Sequence, residues 1–380
     1  MQNLIHVKYD LFAEDYRWGE TSEQTGDHPM KAARWYKAKD IRVEEVTEPS
    51  PGPGQVKIKV KWAGICGSDL HEYVAGPIFV PVKAPHAVSH DIAPIVMGHE
   101  FSGEVAQIGE GVTRVKTGDR VVVEPILSCG KCDACLHGKY NLCNDLGFHG
   151  LSGGGGGFSA HTVVGERWVH KMPEGLSFEQ GALVEPAAVA LHAVRLSSLK
   201  AGGTAAVFGA GPIGLLVVEA LKVAGASAIH VVELSPQRSA KALELGATNI
   251  IDPSRENAAE RIRALTPGGV DVAFEVTGVP AVLQQCIDAT RYEGETMIVS
   301  IWEKEASFQP NTVVLKEKAL KGTIAYRDVF PAVMDLMVQG YFSADRLVTK
   351  RIELDDIVPE GFETLVNEKS QIKILVRSPD

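Results

Sequence analysis

Residues 56–62 read V-K-I-K-V-K-W, with apolar and charged positions in strict alternation. A period of two marks a strand with one buried face. The stretch 49–54, P-S-P-G-P-G, is a turn-rich lead-in to it. Residues 101–108 and 120–124 read as further short strands between glycine turns, and the five consecutive glycines at 153–157 read as a loop. Residues 30–187 are therefore expected to form a mainly β domain. From residue 188 the pattern changes. Strands are predicted at 204–208, 229–233, 249–252, 271–275 and 296–300, with helices at 213–223 and 236–245 and helical stretches elsewhere between them. Alternating strand and helix predicts an α/β unit with a parallel, doubly wound sheet over 188–326. Residues 327–380 offer a helix at 330–339 and a strand near 372–376, and are expected to return to the first domain. Residues 1–29 show no sustained periodicity and are expected to form a peripheral extension. No internal repeat is visible.

Length agrees with two domains, since 380 residues exceed what one ordinary core holds. The net charge of −10 comes with no basic run, which argues against a nucleic-acid partner. The most apolar stretch, 205–218, is interrupted by three glycines and a proline and is too short for a membrane span. No basic flank and apolar run of a secretory signal is seen. Four of the six cysteines fall within fifteen residues, a pattern of metal binding in a non-secreted enzyme. A cytoplasmic location is expected.

Gly209-Ala210-Gly211-Pro212-Ile213-Gly214 is G-x-G-x-x-G between a predicted strand and a predicted helix. In that context Gly209 permits the tight turn, Gly211 lets a pyrophosphate approach the backbone, and Gly214 allows close helix–strand packing. The helix N-terminus then offers free N–H groups to the phosphates. Glu233 lies nineteen residues after Gly214 at a strand end, where an acid binds ribose hydroxyls and repels a 2′-phosphate. NAD is expected over NADP. Arg238 follows in the next helix, either covering the adenine or simply on the surface.

Cys129, Cys132, Cys135 and Cys143 form C-x2-C-x2-C-x7-C, with Gly130 and Gly138 to bend the chain. Four thiolates so close together predict a closed, structural zinc site with no position for substrate. An iron–sulfur cluster is the other metal option, disfavoured by the long final gap. A second constellation is scattered. Cys66, Ser68, Asp69 and His71 lie within six residues, His99-Glu100 follows Gly98, and Glu185 precedes the α/β unit.

With the G-H-E stretch, the cysteine lobe and the G-x-G-x-x-G stretch in this order, the chain from Met30 onward resembles the zinc-containing medium-chain dehydrogenases. That resemblance implies a chaperonin-10-like (GroES-like) β domain joined to a Rossmann domain. Within the family, residues 64–79, 301–304, 308–310, 315–317 and Gly322 are similar to the branch acting on 2,3-butanediol. The resemblance implies two zinc ions per subunit and NAD-linked interconversion of a small secondary alcohol or vicinal diol and its ketone. A polyol dehydrogenase of the sorbitol type is the alternative. Cys66, His99 and Glu100 correspond to catalytic zinc ligands. Glu185 stands where some relatives have a cysteine ligand, so either Glu100 or Glu185 can be the third protein ligand, the other holding the zinc-bound water. Asp69 would orient His99. Ser68 and His71 would relay the proton to solvent by way of the cofactor ribose. A homodimer or homotetramer is implied as well. Relatives often continue the glycine run with Phe-Ala-Glu-Tyr, whereas this chain has Phe158-Ser159-Ala160-His161, which puts local contacts near the site in doubt.

Overall fold

The computed structural model describes residues 29–368 and 370–379. The expected peripheral extension falls outside them, except for Pro29, which opens the strand Pro29–Lys37. The alternating run lies in the strand Gln55–Gly64, where Val56, Ile58 and Val60 are buried while Lys57, Lys59 and Lys61 are part-exposed. The alternation fails at its last residue. A register shift between Val60 and Trp62 turns the inward face onto Ala63, and Trp62 is left half-buried.

Gln55–Gly64 is the centre of a seven-stranded sheet. On one side it pairs antiparallel with Glu100–Ile108, which continues to Arg120–Val123 and Val169–Lys171. On the other it pairs with Lys373–Arg377, which continues to Val348–Glu353. His161–Gly165 also pairs with it. Two segments separated by some three hundred residues of chain thus share one sheet. In this register Gly64 lies opposite both Glu100 and Leu375. Two strand ends, Gly64 and Glu100, therefore meet just before Cys66, against the middle of the strand Lys373–Arg377.

The second unit is a six-stranded parallel sheet. Its order is Asn249–Ile251, Ala228–Val232, Thr204–Phe208, Val270–Glu275, Thr290–Ile298 and Ala319–Gly322. In chain order this is third, second, first, fourth, fifth, sixth, the doubly wound arrangement that binds dinucleotides at its switch point. The fifth strand begins and ends earlier than the expected 296–300. Its register shifts between Val270 and Val272 of its neighbour, so Thr290 pairs ahead of a looped-out stretch that no periodicity marks.

A helix absent from the sequence reading, Val184–Leu196, runs straight through the expected boundary at 187. Pro186 is its third residue. The first four N–H groups of a helix have no intrahelical partner, so a proline there removes nothing. Almost every residue of this helix from Val184 to Val194 is buried, and it packs on Pro212–Val223 and Phe330–Val338. One core accordingly runs through both units, from Trp35 and Phe101 to Val207, Leu215 and Phe330. Among the described residues no helix is long and apolar enough to cross a membrane.

Candidate metal and dinucleotide sites

Cys66 caps the helix Gly67–Ala75, and its N–H donates to Asp69 Oδ2 at 2.9 Å. The other oxygen, Asp69 Oδ1, faces His99 Nδ1 at 3.3 Å. Both of these atoms are buried and lack a well-angled hydrogen bond, so the approach fixes the imidazole electrostatically more than by a formed bond. It leaves His99 Nε2 turned to the other side. The thiol of Cys66, an imidazole nitrogen of His99 and a carboxylate oxygen of Glu100 lie within 4.8 Å of one another, close enough for one cation. Sulfur, nitrogen and oxygen donors in that number suit zinc with one open position. Glu185 is not within that group.

Glu100 is fully buried, and both its oxygens accept from Lys373 Nζ, at 2.8 and 2.7 Å. Lys373 Nζ also donates to the carbonyl of Ile65 at 3.2 Å. Burial works against the Lys373 charge. Glu100 and the Cys66 thiolate outweigh it and hold the ammonium above its ordinary pKa. Nothing in the sequence singled out Lys373, because only strand pairing brings it to Glu100. Gly64 has a similar origin: a Cβ there would stand 2.2 Å from Glu100 Oε2. Glu185 lies in the first turn of Val184–Leu196, and burial, with the Glu100 charge nearby, pushes its carboxyl up to about 7. The glycine run at 153–157 is a loop, as expected, but mostly a buried one. Gly157 N–H donates to the carbonyl of Gly98 at 2.7 Å and Phe158 N–H to that of Met97 at 2.9 Å. It is the wall behind Gly98-His99-Glu100. In the departing segment, Phe158 is buried in this wall, while His161 sits beside Glu48.

The helix that begins after Cys66 also carries Ser68 and His71. Ser68 Oγ is 3.2 Å from His99 Nε2, at the mouth of the cluster. His71 is half-exposed and its Nδ1 is 2.5 Å from Glu303 Oε1, a residue of the second unit. Glu303 fell in a segment the sequence had marked, but without a role.

Cys129, Cys132, Cys135 and Cys143 bring their four sulfurs within 4.8 Å of one another, and all four are unbridged. Backbone N–H groups point at the sulfurs, Cys129 N and Asp145 N to Cys143 Sγ at 3.2 and 3.3 Å, and Cys132 N to Cys129 Sγ at 3.4 Å. Donors aimed at sulfur favour thiolates, which fits a closed four-sulfur metal site.

In the nucleotide turn, Gly209 has φ +100° and Gly211 caps the helix Pro212–Val223, with Pro212 and Ile213 as its first residues. A Cβ on Gly214 would lie 2.0 Å from the Gly209 carbonyl oxygen, whereas one on Gly211 would meet nothing within 4 Å. The helix is thus packed tight at Gly214 and open at Gly211, where a diphosphate has to come close. Glu233 is no solvated strand-end charge. Its Oε2 accepts from Ala210 N at 2.7 Å, and its Oε1 from Leu234 N and Ser235 N at 2.9 and 2.8 Å. Arg238 reaches neither bulk solvent alone nor the glycine turn: its Nη2 donates to the Gln371 carbonyl at 3.3 Å, and its Nε is buried without a partner.

A β domain with a Cys-His-Glu cluster, joined to a dinucleotide sheet, defines a zinc-binding alcohol dehydrogenase. Residues 52–174 match the alcohol dehydrogenase GroES-like domain and residues 212–339 the zinc-binding dehydrogenase family, and the chain belongs to that family. Among its relatives, (R,R)-butanediol dehydrogenase of Bacillus subtilis (strain 168) is 62% identical over 92% of this chain and 99% of its own length. The (R,R)-butanediol dehydrogenase of Neisseria gonorrhoeae is 45% identical over 91% and 99%. A crystal structure of 2R,3R-butanediol dehydrogenase from Bacillus subtilis superposes with a TM-score of 0.88, covering 92% of this chain and all of that one.

Proposed function

We propose that the protein interconverts (R,R)-2,3-butanediol and acetoin with NAD. In the oxidising direction the diol loses a hydride to the nicotinamide and a proton to solvent. The observation that carries this reading is the 62% identity to a butanediol dehydrogenase over nearly the whole chain, which brings Cys66, His99 and Glu100 together in one cluster and also carries a dinucleotide turn. A zinc ion held by these three residues would polarise the substrate oxygen and favour loss of its proton. The four thiolates of the cysteine lobe would hold a second, structural zinc.

Asp69 keeps His99 turned so that Nε2 faces the site. Lys373 offsets the buried charge of Glu100. Ser68 lies where it can take a proton from the bound hydroxyl. His71 and Glu303 form the outlet to the surface across the seam between the two units. Glu185, outside the three-residue group, serves as a polar wall of the pocket rather than as a ligand. Glu233, pinned by backbone N–H groups, presents a carboxylate to the adenosine ribose and disfavours a 2′-phosphate. The second sheet ends in Ala319–Gly322, an unpaired edge with Val314 and Leu315 exposed beside it, which supports a homo-oligomer.

The test is NAD reduction with (R,R)-, meso- and (S,S)-2,3-butanediol beside sorbitol, with NADP as the second cofactor. Preference for the (R,R) diol and NAD is expected. Turnover of sorbitol alone would overturn the substrate, and equal use of NADP would overturn the role of Glu233.

A further inference from the structure

The cysteine lobe does more than close on a metal. Between its third and fourth cysteines lie Tyr140 and Asn141, and both are buried, at 6% and 2% exposure. Asn141 Nδ2 donates to the Ile324 carbonyl at 3.0 Å, and Asn141 Oδ1 accepts from Arg327 Nη1 at 3.1 Å. The Tyr140 hydroxyl accepts from Asp328 N–H at 2.9 Å and donates to Glu124 Oε1 at 2.7 Å. Two neighbouring side chains of the lobe therefore grip residues 324–328 at both ends.

The gripped segment has an uncommon backbone. Ala325 and Asp328 both have positive φ, +50° and +54°, a region that residues with a Cβ rarely occupy. Such conformations persist where the surroundings over-determine them. Between these two residues stands Tyr326, fully buried, its hydroxyl without a well-formed hydrogen bond. Burial holds that hydroxyl protonated, and the charge of Glu185, on the neighbouring helix Val184–Leu196, acts in the same direction. The Tyr326 ring rests edge-on against Phe330 at 5.1 Å, Phe330 stacks on His170 at 5.2 Å, and His170 Nε2 lies 2.9 Å from Glu124 Oε2. Glu124 is thus shared between the grip and the packing behind the Tyr326 ring.

We propose that Tyr140 and Asn141 are positioning residues for the dehydrogenase reaction: they hold residues 324–328 in this turn and so present the Tyr326 hydroxyl to Glu185 and the substrate oxygen. The proposal rests on the dehydrogenase reading given above. It gives the lobe a part in turnover through residues 324–328.

A double-mutant cycle tests it, on whichever alcohol of the panel the enzyme turns over. Tyr326→Phe, Asn141→Ala and Tyr140→Phe are each expected to lower kcat about tenfold, within the range for a displaced positioning group. NADH affinity should stay within about twofold, because the nucleotide turn is untouched. In the Tyr326→Phe background the further loss from Asn141→Ala should shrink below about twofold, the non-additivity of residues acting through one another. Tyr140→Phe keeps the ring packed on Trp168 and guards against a lobe that simply unfolds. Amide hydrogen exchange of residues 324–328 should quicken in both lobe variants, a readout that needs no activity. Independent, multiplicative losses, or unchanged exchange in 324–328, would overturn the clamp. A wild-type enzyme inactive on every alcohol would instead overturn the dehydrogenase reading, leaving the exchange result to judge the clamp.

Discussion

The two candidate metal clusters are built in opposite ways. The four-cysteine group comes from one stretch of fifteen residues, and three of its thiols are part-exposed. The Cys66, His99 and Glu100 group comes from two strand ends, and its charge balance depends on Lys373, near the end of the chain. The first can form wherever its own loop folds. The second exists only after the seven-stranded sheet has closed. A closed local site suits a part that must hold shape, and an assembled site with an open position suits chemistry.

Exchanging one thiol at each site breaks the comparison most sharply. Cys66→Ser is expected to remove one zinc of two and to lower kcat/KM by about 10³-fold or more, since Lewis-acid polarisation contributes several kcal/mol. The fold should remain. Cys132→Ser is expected to remove the other zinc and to lower Tm markedly, because metal-binding energy at a structural site is folding energy. Its activity per folded molecule should fall far less. Metal content, Tm and steady-state rates on both variants check this. The same loss profile at both sites would mean the two clusters do not differ in kind.

Lys373→Met is the next largest effect. It leaves the fully buried Glu100 carboxylate without a partner, and breaking a buried pair costs about 3–5 kcal/mol. Denaturant unfolding after chelation should show that loss. With saturating zinc the loss should be smaller, because the ion takes over part of the Glu100 charge. An equal loss with and without zinc would show that Glu100 does not face the metal. Ser68→Ala belongs to the same site but to the chemistry alone. It should slow turnover by about 10²–10⁴-fold, the range for a positioned acid–base group, with unfolding unchanged. A wild-type rate at neutral pH would remove Ser68 from the relay.

This contrast also explains what the sequence made legible. The cysteine lobe and the nucleotide turn are spacing patterns, so they could be read without knowing any contact. Strands 204–208 and 229–233, the latter observed as Ala228–Val232, and the helix 236–245 were legible because buried strands and amphipathic helices leave a period. Lys373, Glu303, Tyr326 and Asn141 carry no such mark. Each matters through a partner between about 140 and 270 positions away, joined by sheet pairing or by packing of one unit on the other. The glycine run reads as a loop, and it is one, but its burial left no mark in the sequence. That burial comes from neighbours brought in by the fold, the Met97 backbone against Gly156 and the Phe101 side chain against Gly157, which leave no room for a Cβ. Helix Val184–Leu196 was hidden by a proline whose place in the first turn makes it harmless.

The smallest effect concerns the wall behind the assembled cluster. His149 is buried, packed 5.8 Å from the Phe101 ring and hydrogen-bonded to Thr162 Oγ1 at 2.8 Å. Burial holds its pKa down to about 3, so it is neutral in the folded protein wherever the pH exceeds that value. In the unfolded chain it protonates below about 6.5. Between about pH 6.5 and 3 the unfolded state therefore binds the extra proton, and stability falls as pH falls. The loss present at pH 5 is about 2 kcal/mol, from 1.36 kcal/mol per pH unit. His149→Gln keeps a side chain able to bond Thr162 and removes the titration. Unfolding curves at pH 7 and pH 5 should then lie closer together for the variant than for the parent by about that amount. If the parent and the variant lose stability equally over this range, His149 is not the group through which acid loosens the assembled site.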